Sequence, residues 1–243
     1  MKNIGIICEY NPFHNGHAKQ IRTVHAQDGT CVCLMSGNYV QRGEPAILDK
    51  WTRAKAAVLC GADLVLELPV TYALRSAEGF AAGGVEIFDR LGCIDGLSFG
   101  SELVDINGIM STAEALDSTE FSEHLHDALA EGLSFPAARQ QALAALGADT
   151  AALETPNSIL AVEYCKALRH RNSTIVPMLL HRDGDACSRI GRALCRRRRW
   201  RYFPARCGIP LRRGSGRGWR GCAAWRRWSS LVCPSVRRGC GAR

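Results

Sequence analysis

Short apolar runs alternate with helical patterns along this chain, and that alternation constrains its fold more than any other feature. The runs predict strands at Asn3–Cys8, Thr30–Met35, Ala62–Leu68, Gly96–Phe99 and Thr174–Leu180. The patterns between them predict helices at Gly16–His25, Asp49–Cys60, Ser76–Leu91 and Asn157–Leu168. Apolar strands alternating with helices are typical of a parallel sheet covered on both faces. We therefore expect an α/β fold with a Rossmann-like sheet, an inserted helical region at 106–146, and a ligand crevice at the carboxyl ends of the strands.

The charge of the chain divides it into two unlike parts. Met1 to Asp185 carry 14 Lys and Arg against 23 Asp and Glu, a net charge of −9, whereas the last 58 residues carry 17 Arg and no acidic residue. That basic tail, 186–243, is rich in Arg, Gly, Cys and Trp, which is what a GC-rich coding sequence gives when read in the wrong frame. We expect residues 1–185 to form one α/β domain and the tail to be out of frame and irregular. The alternative is an Arg-rich arm that binds RNA phosphates by charge and bases by stacking.

The amino-terminal residues predict the cellular location. The apolar run after Lys2 is only a strand's length and meets Glu9 where a secretory signal would continue. Nothing approaches the roughly 20 apolar residues that cross a bilayer. We expect a cytoplasmic protein with no membrane partner. The cysteines before the tail lack paired metal spacing, so we expect reduced thiols and no metal site.

The segment Glu9–His17 follows the first predicted strand and carries two histidines at a predicted helix start. An X-Pro pair at Asn11 disfavours helix and sets a sharp corner between strand and helix. A helix N-terminus attracts polyphosphate through its unpaired N–H groups. His14 and His17 can each donate to an oxygen of the α-phosphate, and Gly16 leaves the approach open. A bare His-x-x-His also occurs by chance, as a metal pair, or as two surface histidines.

With four further blocks, this segment resembles the nucleotidyltransferases that carry a His-x-Gly-His signature, and within them the bacterial tRNA(Met) cytidine acetate ligase family. The blocks are Met35–Ala46, Asp63–Pro69, Phe99–Glu102 and Pro156–Ala161. The resemblance covers about residues 1 to 185 and implies that they form the nucleotide-binding catalytic domain. It implies an ATP-dependent ligase that forms acetyl-adenylate and transfers the acetyl group to N4 of the wobble cytidine of elongator tRNA(Met). The implied partners are that tRNA and acetate, with no DNA, and the implied cofactor is ATP with Mg²⁺.

The resemblance also implies site residues. His14 and His17 would be catalytic. The ATP contacts would be Ile7, Cys8, Glu9, Tyr10, Asn11, Pro12, Phe13, His14, Asn15, Gly16, His17, Ala18, Lys19, Gln20, Gly100, Asn157 and Arg182. An arginine near a triphosphate is reasonable because its planar fork binds oxygens at two points. The candidate contacts to the acyl group or the RNA are Ser36, Gly37, Gln41 and Arg42, and the alternative is an ordinary solvated loop.

The tail departs from the family pattern. The family continues with a second phosphate-binding element, Ser-rich and ending in Ile-Arg, and with RNA-binding helices, and neither occurs in 186–243. Two other functions therefore stay open. One is a truncated, nucleotide-binding homologue with impaired catalysis. The other is a small-molecule adenylyltransferase acting on phosphopantetheine or nicotinamide mononucleotide, against which the blocks Gln41–Pro45 and Phe99–Glu102 argue.

Overall fold

A computed structural model of the chain describes residues 1–103, 105–148 and 150–182. The prediction for the tail at 186–243 lies outside the described residues. The strands are β1 (Lys2–Cys8), β2 (Gly29–Ser36), β3 (Leu64–Leu68), β4 (Gly96–Ser101) and β5 (Val176–His181). The helices are α1 (Asn15–Ala26), α2 (Lys50–Leu59), α3 (Val70–Ala73), α4 (Ala77–Leu91), α5 (Ile106–Ala115), α6 (Thr119–Ala130), α7 (Phe135–Ala145) and α8 (Pro156–His170). A 3₁₀ turn spans Thr150–Leu153.

The strands form one sheet in the order β3-β2-β1-β4-β5, and each neighbouring pair is parallel. The strand order reverses between β1 and β4, since β2 and β3 lie on one side of β1 while β4 and β5 lie on the other. In open parallel sheets a crevice forms at this switch point, outside the carboxyl ends of the strands. The predicted Rossmann-like fold is confirmed.

Both faces of the sheet are buried, which explains why its central strands are continuously apolar. In β1, Ile4 and Ile6 pack with Ile21 of α1 on one face, whereas Ile7 packs with Phe88 of α4 on the other. Side chains alternate between the two faces of a strand, so a strand covered on both faces needs apolar residues throughout. The same strand therefore fixes a helix layer on each side.

Most of the predicted elements are confirmed within two residues at each end. Asp49 caps α2 by accepting the amide of Thr52, and Gly61 follows that helix with a φ of +112°. β3 begins at Leu64 rather than Ala62, because the Ala62 amide still bonds the α2 carbonyl of Ala57. The predicted helical region contains α5, α6 and α7. Helix α3 and the 3₁₀ turn were not predicted. No helix within the described part of the chain is long and apolar enough to cross a membrane.

Candidate active site

A cavity of about 480 Å³ opens at the carboxyl ends of β1 and β4, between α1 and the start of α8. The predicted site residues on its wall are Ile7, Cys8, Glu9, Tyr10, Asn11, Pro12, His14, His17, Gln20, Gln41, Arg42, Gly100, Asn157 and Arg182. Segments that are far apart in the sequence therefore meet at one opening. Its size is within the usual range for a small-molecule site.

The two histidines cap α1 and thereby fix each other's orientation. His14 is the N-cap residue, and its Nδ1 accepts the Gly16 amide at 3.1 Å. Nδ1 of His17 accepts the His14 amide at 3.2 Å, and the two rings stack with centroids 3.6 Å apart. A neutral imidazole whose Nδ1 accepts a hydrogen bond carries its proton on Nε2. The corner therefore brings two Nε2–H donors to the cavity wall.

His17 is held in the neutral form. Burial lowers its pKa well below the ordinary value, and the nearby His14 and Arg182 lower it further. The ring of Tyr10 lies 4.8 Å from the His17 ring and that of Phe13 lies 5.5 Å from it, centroid to centroid. Tyr10 is itself buried and has a φ of +48°, a conformation that is costly without a glycine. This aromatic support orients His17 as a neutral donor.

Five predicted ATP contacts lie off the cavity wall: Phe13, Asn15, Gly16, Ala18 and Lys19. Helical geometry explains most of this, because consecutive residues point in different directions around α1. Ala18 is buried beneath the helix, whereas Lys19 is exposed. A Cβ on Gly16 would lie 3.0 Å from Cε1 of His14. Gly16 thus makes room for the capping ring, a role that differs from the open phosphate approach predicted for it.

A carboxylate holds the opposite wall, where α8 begins. Glu102 accepts the Thr155 hydroxyl at 2.6 Å and the Asn157 side-chain amide at 2.7 Å. Nε of Arg182 lies 4.0 Å from Oε1 of Glu102. Partial burial raises the pKa of Glu102, but the hydrogen bonds from Thr155 and Asn157 and the charge of Arg182 hold it below its ordinary value. Glu102 is therefore ionised. By accepting the hydrogen bond from the Asn157 side-chain nitrogen, it fixes the orientation of that side chain.

Buried hydroxyls extend this network to the end of β4. The Thr155 hydroxyl lies 2.9 Å from that of Ser158, which lies 2.8 Å from that of Ser101. Ser101 and Ser158 are fully buried. Because the single Thr155 hydroxyl proton goes to the carboxylate, Ser158 donates to Thr155 and Ser101 donates to Ser158. The chain of hydroxyls ties the start of α8 to β4.

Gly100 and Arg182 are neighbours because β4 and β5 are parallel, with Ser101 opposite His181. The Arg182 amide donates to the Ser101 carbonyl at 2.8 Å. A Cβ on Gly100 would come within 2.7 Å of Cδ of Arg182. Glycine at this position lets the Arg182 side chain cross the end of β4 to reach the cavity.

The loop between β2 and α2 forms a third wall with Gln41 and Arg42. The Glu9 carboxylate accepts the Gln41 amide at 2.6 Å, and Oδ1 of Asn11 accepts the Ile47 amide at 2.8 Å. The loop is therefore attached to the same corner that carries the histidines.

Arg53 of α2 fixes both ends of this loop from beneath. Its side chain is only 1% exposed and donates to the carbonyls of Glu9, Gly37 and Leu48. Burial lowers its pKa, and the neighbouring acidic groups oppose this shift. A buried guanidinium needs such partners because an unpaired buried charge is very costly.

The other two candidate acyl or RNA contacts do not reach the cavity wall. Ser36 is fully buried, and its hydroxyl has no hydrogen-bond partner among the described residues. A Cβ at Gly37 would collide with the Glu67 carboxylate, which pairs with Lys50 at 2.6 Å. Both residues thus belong to the packing at the end of β2 and are not part of the cavity wall.

Seven further residues line the cavity that sequence reasoning did not select: Phe80, Phe99, Glu102, Thr155, Pro156, Leu160 and Tyr164. Phe99 and Glu102 lie in the block Phe99–Glu102, and Pro156 begins the block Pro156–Ala161. These three could have been found by including the neighbours of Gly100 and Asn157 among the predicted site residues. Phe80 of α4 and Tyr164 of α8 had no signal. They reach the cavity only through the packing of those helices.

Residues 1–190 match the protein family described as HIGH Nucleotidyl Transferase. The chain belongs to this family. The segment His14–His17 reads His-Asn-Gly-His, so Asn15 stands in the second position of the four-residue signature that gives the family its name. The observed strand order and the capped start of α1 agree with the family assignment.

Two curated relatives of this HIGH nucleotidyl transferase are both named tRNA(Met) cytidine acetate ligase. The protein from Clostridium novyi is 46% identical over 194 residues, and that from Acetivibrio thermocellus is 44% identical over 190 residues. The alignments cover 76% and 75% of this chain but 48% and 46% of the relatives. The chain thus spans about half the length of the curated relatives it matches.

The chain is also similar to solved structures of Thermotoga maritima TmcAL. The form bound with alpha-thio ATP superposes with a TM-score of 0.75 at 38% identity, covering 82% of this chain and 51% of that one. The apo form gives a TM-score of 0.74 at 36% identity, covering 82% and 52%.

Proposed function

We propose that this chain is the nucleotide-activating part of an ATP-dependent tRNA(Met) cytidine acetate ligase. ATP and acetate would react to give acetyl-adenylate, and the acetyl group would pass to N4 of the wobble cytidine of elongator tRNA(Met). The observation that carries the proposal is the pair of neutral Nε2–H donors at the start of α1, on the wall of a cavity at the switch point of the sheet. The names of the relatives supply the acid and the acceptor.

The residues suit adenylate formation in the following way. The triphosphate is expected at the start of α1, where amide groups and the helix dipole favour anions. An acetate oxygen attacks the α-phosphorus and pyrophosphate leaves, so negative charge grows on the α-phosphate oxygens. His14 and His17 would donate to those oxygens, and preorganised donors of this kind typically lower a barrier by about 2.7–4 kcal/mol each. Arg182 would add a positive charge from the other wall.

Gly100 and Asn157 would hold the nucleoside part of ATP, and Gln41 and Arg42 would face the acid or the RNA. ATP would enter as its magnesium complex. Mg²⁺ usually keeps several waters and binds through substrate phosphates with one or two carboxylates. Within the described ranges, no group of three or more His, Cys, Asp or Glu side chains is arranged to hold a metal ion. As is usual for Mg²⁺ bound to a nucleotide, the substrate phosphates would be ligands of the ion.

Acetate-dependent exchange of pyrophosphate into ATP tests the first half of the reaction. Exchange that requires acetate, and that neither phosphopantetheine nor nicotinamide mononucleotide supports, is the expected result. Turnover with either of those compounds but not with acetate would replace the proposal with a small-molecule adenylyltransferase.

The acceptor half needs its own measurement, because the chain spans about half the length of its relatives. Incorporation of labelled acetate into tRNA(Met) is the assay. Exchange without incorporation would identify the chain as a homologue that activates acetate but cannot complete the transfer.

A further inference from the structure

Two carboxylates line the described wall of the cavity, and their surroundings differ. Glu102 accepts hydrogen bonds on both oxygens, from Asn157 at 2.7 Å and from Thr155 at 2.6 Å. Glu9 accepts one, from the Gln41 amide to Oε1 at 2.6 Å, and no other described residue donates to its carboxylate. Glu102 is committed to holding the start of α8. Glu9 keeps one oxygen that can accept a proton.

The charged groups around Glu9 come from several elements. Arg53 of α2 and Arg42 of the loop lie near it and favour its ionised form, as does the Gln41 amide. Burial outweighs these three influences and raises the pKa of Glu9 above its ordinary value. The remaining charged or titratable groups on the cavity wall are Cys8, Tyr10, His14, His17, Glu102, Tyr164 and Arg182. When the surroundings of two carboxylates in one site shift their pKa values in opposite directions, the carboxylate with the raised pKa is suited to proton transfer.

The other groups on the wall are poorly suited to accept a proton. Nδ1 of each histidine already accepts a backbone amide, so both histidines present donors. Burial raises the pKa of Cys8 and of Tyr10, and the Tyr10 hydroxyl lies 3.1 Å from Sγ of Cys33. Burial raises the pKa of Tyr164 as well. Glu9 is left as the base.

Glu9 is also an unsuitable partner for the triphosphate, although its segment was predicted to contact ATP. A carboxylate repels phosphate oxygens, and the repulsion is strong in a partly buried site. Bound ATP would raise the pKa of Glu9 further, since a nearby like charge disfavours ionisation. A carboxylate that harms ATP binding needs a role in a later step.

Resting on the proposed function, we propose that Glu9 is the catalytic base of the acyl-transfer step. The acceptor amine attacks the carbonyl carbon of acetyl-adenylate, forming a carbon–nitrogen bond. The bond between that carbon and the phosphate oxygen breaks, and its electron pair leaves with AMP. Glu9 takes the proton that the nitrogen loses and later releases it to water. The histidines serve adenylate formation, and Glu9 serves the transfer that follows.

Glu9→Gln in the full chain is the test, because glutamine keeps an oxygen for the Gln41 amide but cannot act as the base. Two rates are measured: acetate-dependent ATP–pyrophosphate exchange, and transfer of labelled acetyl from ATP and acetate to tRNA(Met). Transfer should fall about 100-fold or more, as is usual when a general base is lost. Exchange should change by no more than about threefold, equivalent to roughly 0.65 kcal/mol. Glu44→Gln, at an exposed acid in the same loop, is the matched control and should leave both rates close to those of the unaltered chain.

The pH profile of transfer distinguishes a catalytic base from a residue that has only a structural role. Transfer by the unaltered chain should fall as the pH drops through the pKa of Glu9, while the residual transfer of Glu9→Gln should be flat there. Equal losses in both rates, transfer at the original rate, or a raised Mg²⁺ requirement for exchange would each overturn the assignment of Glu9. Absence of acetate-dependent exchange in the unaltered chain would overturn the proposed function instead.

Discussion

Two helices begin at the cavity, and their N-termini differ in the charge of the side chains around them. The start of α1 is capped by the neutral rings of His14 and His17 and has no acidic residue in its first turn. The start of α8 is capped by Thr155, whose hydroxyl is bonded to the ionised Glu102. A helix N-terminus attracts anions in either case. At α8 the protein supplies that anion itself through Glu102, whereas the first turn of α1 contains no acidic residue, and under the proposed function the ligand would supply the anion there.

The difference indicates how one cavity can distinguish the ends of a nucleotide. In the proposed site the polyphosphate would be directed to α1, whose first turn contains no acidic residue. The α8 side offers oriented polar groups on Asn157 together with apolar surface from Leu160 and Tyr164, which suits the less charged nucleoside. The three predictions below test this contrast, starting with the largest expected effect.

Changing His17 tests the α1 side. His17→Ala should slow acetate-dependent pyrophosphate exchange by about 100- to 1,000-fold, the usual loss for one preorganised donor. His17→Asn is the sharper variant, because its amide oxygen lies close to the position of Nδ1 and can still accept the His14 amide, while it has no donor where Nε2 stands. We expect His17→Asn to lose the rate but keep the unfolding midpoint in urea.

If His17→Asn exchanges pyrophosphate at the original rate, the contribution of His17 is only its cap. The α1 terminus would then resemble that of α8, and the contrast would be lost.

Changing Glu102 tests the α8 side. Glu102→Gln removes the compensating charge and one of the two acceptors, so Asn157 loses its fixed orientation. We expect the KM for ATP in the exchange assay to rise about tenfold, equivalent to 1.4 kcal/mol, with kcat less affected. The free energy of unfolding should fall by about 1–3 kcal/mol, since a buried hydroxyl or amide is left unsatisfied.

Glu154→Gln is the matched control, because Glu154 is exposed and precedes the cap Thr155 without bonding to it. It removes the same charge near the same helix end. Equal rises in KM for the two variants would show that the charge acts at a distance and that the hydrogen bonds of Glu102 do not matter.

Acid titration should show the smallest effect. The pKa of His17 in the folded chain is well below 6.5, its value in the unfolded chain, so below about pH 6.5 the unfolded state binds more protons. The free energy of unfolding should therefore be fully retained above that pH and fall below it. The His17 contribution to the slope is at most about 1.4 kcal/mol per pH unit for one proton. His17→Asn should remove this contribution, leaving the slope due to the other groups, and urea unfolding between pH 5 and 7.5 would measure the difference. Identical slopes for the two proteins would mean that His17 titrates normally.

The sequence was most informative where local pattern and structure share one cause. β1 and the corner after it were predictable because an apolar run, an X-Pro pair and two histidines follow each other directly. The meeting of Gly100 with the histidine corner was predictable because parallel strands bring their carboxyl ends to one edge, whereas Asn157 and Arg182 were expected there from the family resemblance. The positions of α1, α2, α4 and α8 followed from their periodicity, and Asp49 was recognisable as the capping residue of α2.

The rest depends on contacts that leave no mark on local sequence. Glu102 meets Thr155 across 53 positions, and Arg53 reaches the carbonyl of Glu9 across 44. A polar residue in a helix is usually solvated, so nothing in α2 predicted that Arg53 would be buried. Gly16 was predicted to clear the phosphate approach, and its place under the His14 ring is visible only in the folded corner.

Arg53 also bears on how easily this protein could acquire a new acid or acceptor. Its guanidinium donates to one main-chain carbonyl at each end of the loop, Gly37 and Leu48, and to that of Glu9 in the corner after β1. A main-chain carbonyl is present whatever the side chain. The two loop side chains on the cavity wall, Gln41 and Arg42, can therefore be exchanged in a library while the path of the backbone is retained. Selection on such a library would search substrate preference with little loss of folded protein. Arg53 therefore holds the backbone of the loop in place while the loop side chains on the cavity wall vary.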